Sequence, residues 1–470
     1  MLRLRIKNLW VIVAALSLAS CVLYRDVDEV TFSQDGSDGG VDGDAASCEA
    51  DLQTDRDNCG SCGSMCGEGE ICAAGACASV VDLSVGSTFA CVALRVASGQ
   101  QRAGDEVWCW GESEQGQLGD AADGVSFPVR LSRPDFPGLQ DEVELYDLDA
   151  GPSHVCAIWA ETVSPNTALV HCWGANASFA LGNCTDPDVT EAIVELEAAP
   201  GDLDDREVYQ VSAGGRHTCV MEAVRGAQSA ALKCWGADEL GQSGGQADGD
   251  QNTICSDNAA RPLSDVQQEV FDIAAGTSHT CAAASREVVC WGQSLEDPGS
   301  AYDTPVRYTL EDLGAPSEHV VLDVTSGNEF SCFVRGEPSI GGGVIGCFGS
   351  DLSSAEGTLT FDESENAEFN EQGRDFTNVW AGYNTNAYAV DTSNAPFALG
   401  RNKEAWTLGA GAQGARFEMM DVGDDFSCGI LLDENARVPV CWGSASDERL
   451  GSPGGSTGTP RPVEFREGGG

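Results

Sequence analysis

Positive charge is scarce in this chain. Lys and Arg number 25 against 75 Asp and Glu, a formal charge of −50. A surface of that sign repels phosphate, which argues against nucleic acid as a partner. Long apolar runs are missing too. The run from Leu9 to Ala19 is far shorter than the roughly 20 residues a membrane-spanning helix needs. Histidine occurs five times and never as a His-Glu-x-x-His pair, so the metalloprotease signature is absent. No metal site and no cofactor site is expected.

Cysteine, in contrast, is abundant. Twenty-one cysteines are too many for a reducing cytosol unless they bind metal, and they point to export. Arg3, Arg5 and Lys7 before the apolar run fit a secretory signal. The following Leu18-Ala19-Ser20-Cys21 resembles the lipobox of bacterial lipoproteins. That resemblance implies lipidation at Cys21, a mature chain starting there, and attachment to a membrane of the cell envelope through acyl chains. Residues 1–21 are therefore read as a signal segment. Residues 22–47, rich in Asp, Gly and Ser, have too little apolar content to fold and are read as a disordered tether.

Residues 48–78 form a Cys-rich module with Cys48, Cys59, Cys62, Cys66, Cys72 and Cys77. Outside the cytosol so short a segment points to three disulfides rather than zinc, with the connectivity left open. Residues 79–467 then repeat one pattern seven times. A Gly, two spacers and a ring lead into a first Cys, and a Cys-Trp-Gly follows after a turn. The first copy runs Gly86, Phe89, Cys91 to Cys109-Trp110-Gly111; the fourth runs Gly276, His279, Cys281 to Cys290-Trp291-Gly292. A period of about 40–65 residues built of short strands signals a radial or solenoidal array.

Within each repeat the two cysteine-bearing stretches alternate like paired strands. Opposed residues of an antiparallel hairpin lie within disulfide reach. The sixth repeat is read as losing both cysteines together, at Ala387 and Ala398. On this reasoning the pairs are Cys91–Cys109, Cys156–Cys172, Cys219–Cys234, Cys281–Cys290, Cys332–Cys347 and Cys428–Cys441. His154, His217 and His279 occupy the place of Phe89, Phe330 and Phe426, which marks a packing position rather than a catalytic one. The tryptophan of Cys-Trp-Gly alternates with Phe348 and Leu399 and is likewise assigned to the core.

Turns such as Glu114-Gln-Gly-Gln-Leu-Gly119 and extended Pro-Val elements such as Phe127-Pro-Val-Arg130 follow each Cys-Trp-Gly. The last Pro-Val element, Pro462-Val463, has no repeat behind it, so the C-terminal strand is expected to complete the first blade and close a ring. In this order the motifs resemble the regulator of chromosome condensation repeat family, across about residues 79–467. The resemblance implies an all-β fold, a seven-bladed β-propeller. Exported relatives of that kind include a β-lactamase inhibitor that binds its enzyme with one propeller face. The nucleotide-exchange loops of the founding member have no counterpart here. The Ser-x-Asp-x-Gly-x-x-Trp box of sialidase-like propellers is also absent.

The function expected from these readings is binding, without catalysis. A monomer tethered to the envelope would hold a protein or an envelope polymer. The competing readings are a hydrolase of extracellular polysaccharide and a structural envelope component. Cys184 and Cys255 stand outside every repeat rule. A bond between them would staple two acidic connections, around 183–204 and 244–260, into the expected contact surface.

Overall fold

The computed structural model describes residues 50–97, 99, 104–119, 125–131, 143–161, 168–183, 186, 188–194, 206–224, 230–244, 253–254, 270–295, 297, 300–302, 305–312, 314–349, 374–383, 386–400, 414–433, 436–444, 446 and 449–466. The signal segment, Cys21, the tether, Cys48, Cys184 and Cys255 lie outside them. No described helix is long and apolar enough to cross a membrane.

The described residues are almost entirely antiparallel β. The first sheet runs β1 (Glu70–Ala73), β2 (Ala76–Val85), β3 (Phe89–Val96), β4 (Gly104–Gly111), β5 (Val125–Arg130). The second holds β6 (Val143–Ala150), β7 (His154–Glu161), β8 (Ala168–Gly174) and β9 (Glu191–Val194). The third is β10 (Arg206–Ala213), β11 (His217–Val224), β12 (Ala231–Ala237) and β13 (Thr253–Ile254). The fourth is β14 (Val270–Ala275), β15 (His279–Ala284), β16 (Glu287–Gly292) and β17 (Val306–Thr309). Next comes a six-stranded sheet of β18 (Val320–Ser326), β19 (Phe330–Glu337), β20 (Gly342–Gly349), β21 (Phe376–Ala381), β22 (Asn386–Asp391) and β23 (Pro396–Gly400). The last is β24 (Phe417–Val422), β25 (Phe426–Asp433), β26 (Ala436–Gly443) and β27 (Thr457–Pro462).

Three sequence expectations are corrected here. The described strands form six sheets, not seven, because the fifth and sixth repeats join where Gly343 of β20 opposes Phe376 of β21. The close approach rests on glycine: a Cβ on Gly342 would lie 2.8 Å from Thr392 and 2.9 Å from Asp375. Second, β27 pairs with β26 of its own repeat, Val440 opposite Pro462, and not with the first sheet. Every repeat begins with an inner strand ahead of its glycine, so the first repeat already owns four strands and needs none from the C-terminus. Third, an extra residue after Gly382 shifts the sixth repeat. Tyr388, not Ala387, opposes Ala398 in the place of the cysteine pair.

The motif residues follow from this geometry. Each pair Cys91–Cys109, Cys156–Cys172, Cys219–Cys234, Cys281–Cys290, Cys332–Cys347 and Cys428–Cys441 is directly opposed in its hairpin and bonded, with Cα atoms 4.0–4.1 Å apart. That spacing belongs to non-hydrogen-bonded antiparallel pairs, where side chains come closest. The glycine ending Cys-Trp-Gly takes a positive φ, as at Gly236 (+102°), and a Cβ there would meet the Arg216 carbonyl at 2.5 Å. The glycine opening each repeat has a different constraint. A Cβ on Gly214 would sit 2.4 Å from the His217 ring and 2.6 Å from the carbonyl of Gly276, the matching glycine of the next repeat.

Candidate functional site

Seven inner strands, β2, β6, β10, β14, β18, β21 and β24, surround a common axis and line one cavity. Each carries a β-bulge just before the residue four places ahead of its glycine: Asp82, Asp147, Gln210, Asp272, Asp323, Asn378 and Met419. A bulge inserts one residue and re-aims the side chain that follows. Here it turns five of those side chains onto the next repeat. Leu148 N donates to Asp82, Val211 N to Asp147 (2.8 Å), Ile273 N to Gln210, Val324 N to Asp272 (3.0 Å) and Val379 N to Asp323 (2.8 Å).

A second tier lies two places ahead of the glycine. Ala150 N donates to Ser84 (2.9 Å), Ala213 N to Asp149 (2.7 Å), Ala275 N to Ser212 (2.9 Å), Ala381 N to Thr325 (3.0 Å) and Val85 N to Asp421 (2.7 Å). Neighbouring inner strands are therefore joined by side-chain acceptors. The last of these bonds joins the seventh repeat to the first. Each buried N–H satisfied this way would cost about 1–3 kcal/mol if left bare.

The outer parts of the repeats interlock as well. Trp173 Nε1 donates to the Gln117 carbonyl, Trp235 to Ala180, Trp291 to Gln242 and Trp110 to Arg449, each at 2.9–3.0 Å. The Gly-Gln-Leu-Gly-type turn of one repeat thus caps the tryptophan of the next.

The histidines obey a neighbour rule. His154 Nε2 meets Thr218 Oγ1 at 2.9 Å, His217 meets Thr280 at 2.8 Å and His279 meets Ser331 at 2.9 Å. Where the following repeat offers Val155, Ala387 or Ala90 instead, the ring is Phe89, Phe330 or Phe426, packed in the same core cluster. Thr218 and Thr280 spend their single hydroxyl proton on the Ala180 and Gln242 carbonyls. They accept from Nε2–H of His154 and His217, and the buried Nδ1 of His154, His217 and His279 has no partner to take a second proton's hydrogen bond, which favours the neutral ring. Burial pushes His154 and His279 down to about 4 and His217 to about 3.

Inside the channel the cavity measures about 80 Å³, lined by Asp147, Asp149 and Asp421 among others and by no Lys, Arg or His. Asp149 and Asp421 share the Ser84 hydroxyl, at 3.4 and 3.0 Å. Desolvation and the neighbouring Asp149 raise Asp421 to about 7. Trp380 and Tyr383 of the sixth repeat line the same cavity, and the Tyr383 hydroxyl crosses it to the carbonyls of Ala150 (3.3 Å) and Ala213 (2.9 Å). Ligand pockets usually run to about 300–1,000 Å³. The channel cavity, at about 80 Å³, lies below that range.

Cys59 bonds Cys72 and Cys66 bonds Cys77, and Cys62 bonds a partner outside the described residues. Among the described residues the sulfurs of Cys59, Cys66 and Cys77 form the one cluster of potential metal ligands. All three are consumed by disulfides, which leaves no thiolate for zinc. The expected contact regions 183–204 and 244–260 are not loops throughout, since β9 and β13 run through them as outer strands. Gly454-x-Ser456-x-Gly458 has the spacing of a nucleophile elbow, but it leads into β27 and not into a helix.

A ring of antiparallel sheets around an axial channel decides the architecture. The fold is a β-propeller. Its described form resembles Prp20p from Saccharomyces cerevisiae, at 17% identity over 76% of this chain and 83% of that one, with a TM-score of 0.52. Human WBSCR16 is more distant, at 13% identity over 84% of each chain and a TM-score of 0.45. So is the ectodomain of the Physcomitrella patens receptor kinase CR4, at 18% identity over 78% and 74% and a TM-score of 0.43. No family model matches the chain. The RCC1-like propeller is thus a likeness of fold.

Proposed function

We propose that this chain is an exported, lipid-anchored propeller that binds a protein or an envelope polymer through its inter-strand connections. The observation that carries the reading is the axial channel, narrowed to about 80 Å³ and crossed by the Tyr383 hydroxyl. With the axis occupied and the strands locked to one another, recognition falls to the connections. Prp20p, whose fold this chain shares, is known by its binding to Gsp1p and histones, which supports a protein as the ligand. The acidic surface favours a basic or polar protein partner over nucleic acid.

The contact surface proposed is the pair of connections around 183–204 and 244–260, stapled by a Cys184–Cys255 bond. A pull-down from envelope extract with residues 48–470 should recover the partner, and a variant with both connections shortened should lose it while keeping its disulfides. Unchanged recovery by the shortened variant places the surface elsewhere. Anchoring is tested separately: Cys21→Ser should release the protein from membranes, and a variant still found with membranes refutes the lipid anchor.

A further inference from the structure

The junction between the last and first sheets joins strands that are not consecutive in the chain, since β1–β5 and β24–β27 come from opposite ends of the described residues, and none of the described strands is exchanged across it. The first tier of acceptors also fails there, as it does between the sixth and seventh repeats. Met419 stands where the other repeats carry Asp, Asn or Gln, and Leu83 N turns to its own Asp82 at 2.9 Å.

The Cys-rich module sits on this junction. β2 runs unbroken from Ala76 to Val85, so module and first sheet share a strand. The hairpin turn between β1 and β2 places Ala74 and Gly75 at φ of +46° and +77°. From that turn Ala74 N donates to the Phe465 carbonyl at 3.0 Å, while Gly75 N donates to Gln53 at 3.1 Å. Gly60 packs so tightly on the turn that a Cβ would meet the Gly75 carbonyl at 2.5 Å. Arg466 pairs with Asp51 at 2.6 Å, and Gly69 forms a parallel bridge to Ala436 of β26. Phe465 is 2% exposed and lies edge-on to Trp108, with centroids 5.7 Å apart. One core cluster mixes Ile71, Ala73 and Ala76 of the module with Val463 and Phe465 of the C-terminal segment.

We infer that residues 51–78 and 463–466 form a disulfide-braced clasp that holds the first and last sheets together where no chain connection runs from one to the other. The clasp opens as one unit with the junction it spans. Residues outside it, at the other junctions, keep their protection when it opens.

Amide hydrogen exchange of the full chain tests this. Val85 and Asp424 report the junction, since their N–H groups cross it to Asp421 and Ser87. Val211 and Val324 report other junctions. In Phe465→Ala, and in Cys66→Ser with Cys77→Ser, Val85 and Asp424 should exchange about tenfold faster or more, with Val211 and Val324 unchanged. Equal acceleration at all four, or none, overturns the clasp. Should the cysteine variant not fold, the unaltered protein in low denaturant decides. Gly75 and Val85 sharing one opening free energy supports the clasp, and Gly75 exchanging while Val85 stays protected overturns it.

Discussion

Repeats two to four each close their hairpin with a disulfide and set a histidine on the hydroxyl of the repeat that follows. The sixth repeat does neither. Tyr388 and Ala398 replace its cysteines, and Asn386 stands in the histidine's place. Only 16 residues lie between Gly400 and Phe417, against 31 between Gly111 and Val143. Yet the sixth repeat keeps its place, because Val379 and Ala381 still donate to Asp323 and Thr325. It also supplies Trp380 and Tyr383 to the channel. The covalent brace of a repeat is thus dispensable, whereas its bonds to the repeat before it are kept. Ring position is held by neighbour contacts, and freedom from the repeat rule lets one member fill the axis.

Acid should expose this contrast most strongly. A neutral buried histidine with a depressed pKa binds fewer protons folded than unfolded, so stability falls as pH drops from about 6.5 towards about 4. Asp421, raised to about 7, acts oppositely and adds stability as pH falls from 7 towards 3.8. Asp424, raised by desolvation, acts in the same direction as Asp421, and three histidines against these two aspartates give net loss below pH 6.5, concentrated in repeats two to four. Denaturant unfolding followed at several pH values checks the sign. In Asp421→Asn the acid loss should deepen, and a flat profile between pH 4 and 6.5 contradicts the neutral-histidine assignment.

The acceptor tier offers the next largest effect. Asp272 accepts from Val324 N, from its own Ile273 N and from Gln210 Nε2. Asp272→Ala should cost about 3 kcal/mol in denaturant unfolding, as removal of a buried charged acceptor does. Met419→Ala, at a junction without that acceptor bond, should lose only packing. Equal polar losses at both sites, seen as equal exposure of Val324 and Leu83 amides, contradict the tiered account.

The neighbour rule predicts a rescue. His217→Phe should cost about 1–2 kcal/mol by removing the donor to the buried Thr280 hydroxyl oxygen. Adding Thr280→Val recreates the Phe–Val pairing of the first two repeats and should recover part of that loss. Additive losses in the double-mutant cycle break the rule.

The smallest effect on stability comes from repairing the sixth repeat. Tyr388→Cys with Ala398→Cys should form a disulfide, because those residues are opposed as the native pairs are. Ala387→Cys with Ala398→Cys should not. The loss of the buried Tyr388 ring offsets much of the roughly 2–3 kcal/mol a short cross-link supplies, so mass mapping without reductant is the informative readout.

The hairpin pairs Cys91–Cys109 through Cys428–Cys441 were legible because both partners lie in one local unit and recur with it. The packing role of His154, His217 and His279 was legible from their exchange with phenylalanine. Their partners were written in the sequence as well, in the Thr or Ser after the next repeat's histidine or phenylalanine. So were the acceptors Asp82, Asp147, Asp272 and Asp323, which stand four places before the glycine in four of the seven repeats. Acidic residues are common everywhere in this chain, which hides that recurrence.

The sequence by itself determined what repeats: strands, hairpin disulfides, glycines at close approaches and rings bound for the core. These depend on residues within one repeat, where spacing along the chain and distance in space agree. Only the tertiary structure decided how the ends meet. Whether Pro462 pairs with Val440 or with the first sheet turns on contacts between residues far apart in sequence, and motif order is the same either way. The seating of the Cys-rich module on Phe465 and Arg466, and the reach of Tyr383 to Ala150 and Ala213 across the axis, are of the same kind. Each depends on the curvature accumulated over all the repeats, which no single repeat records.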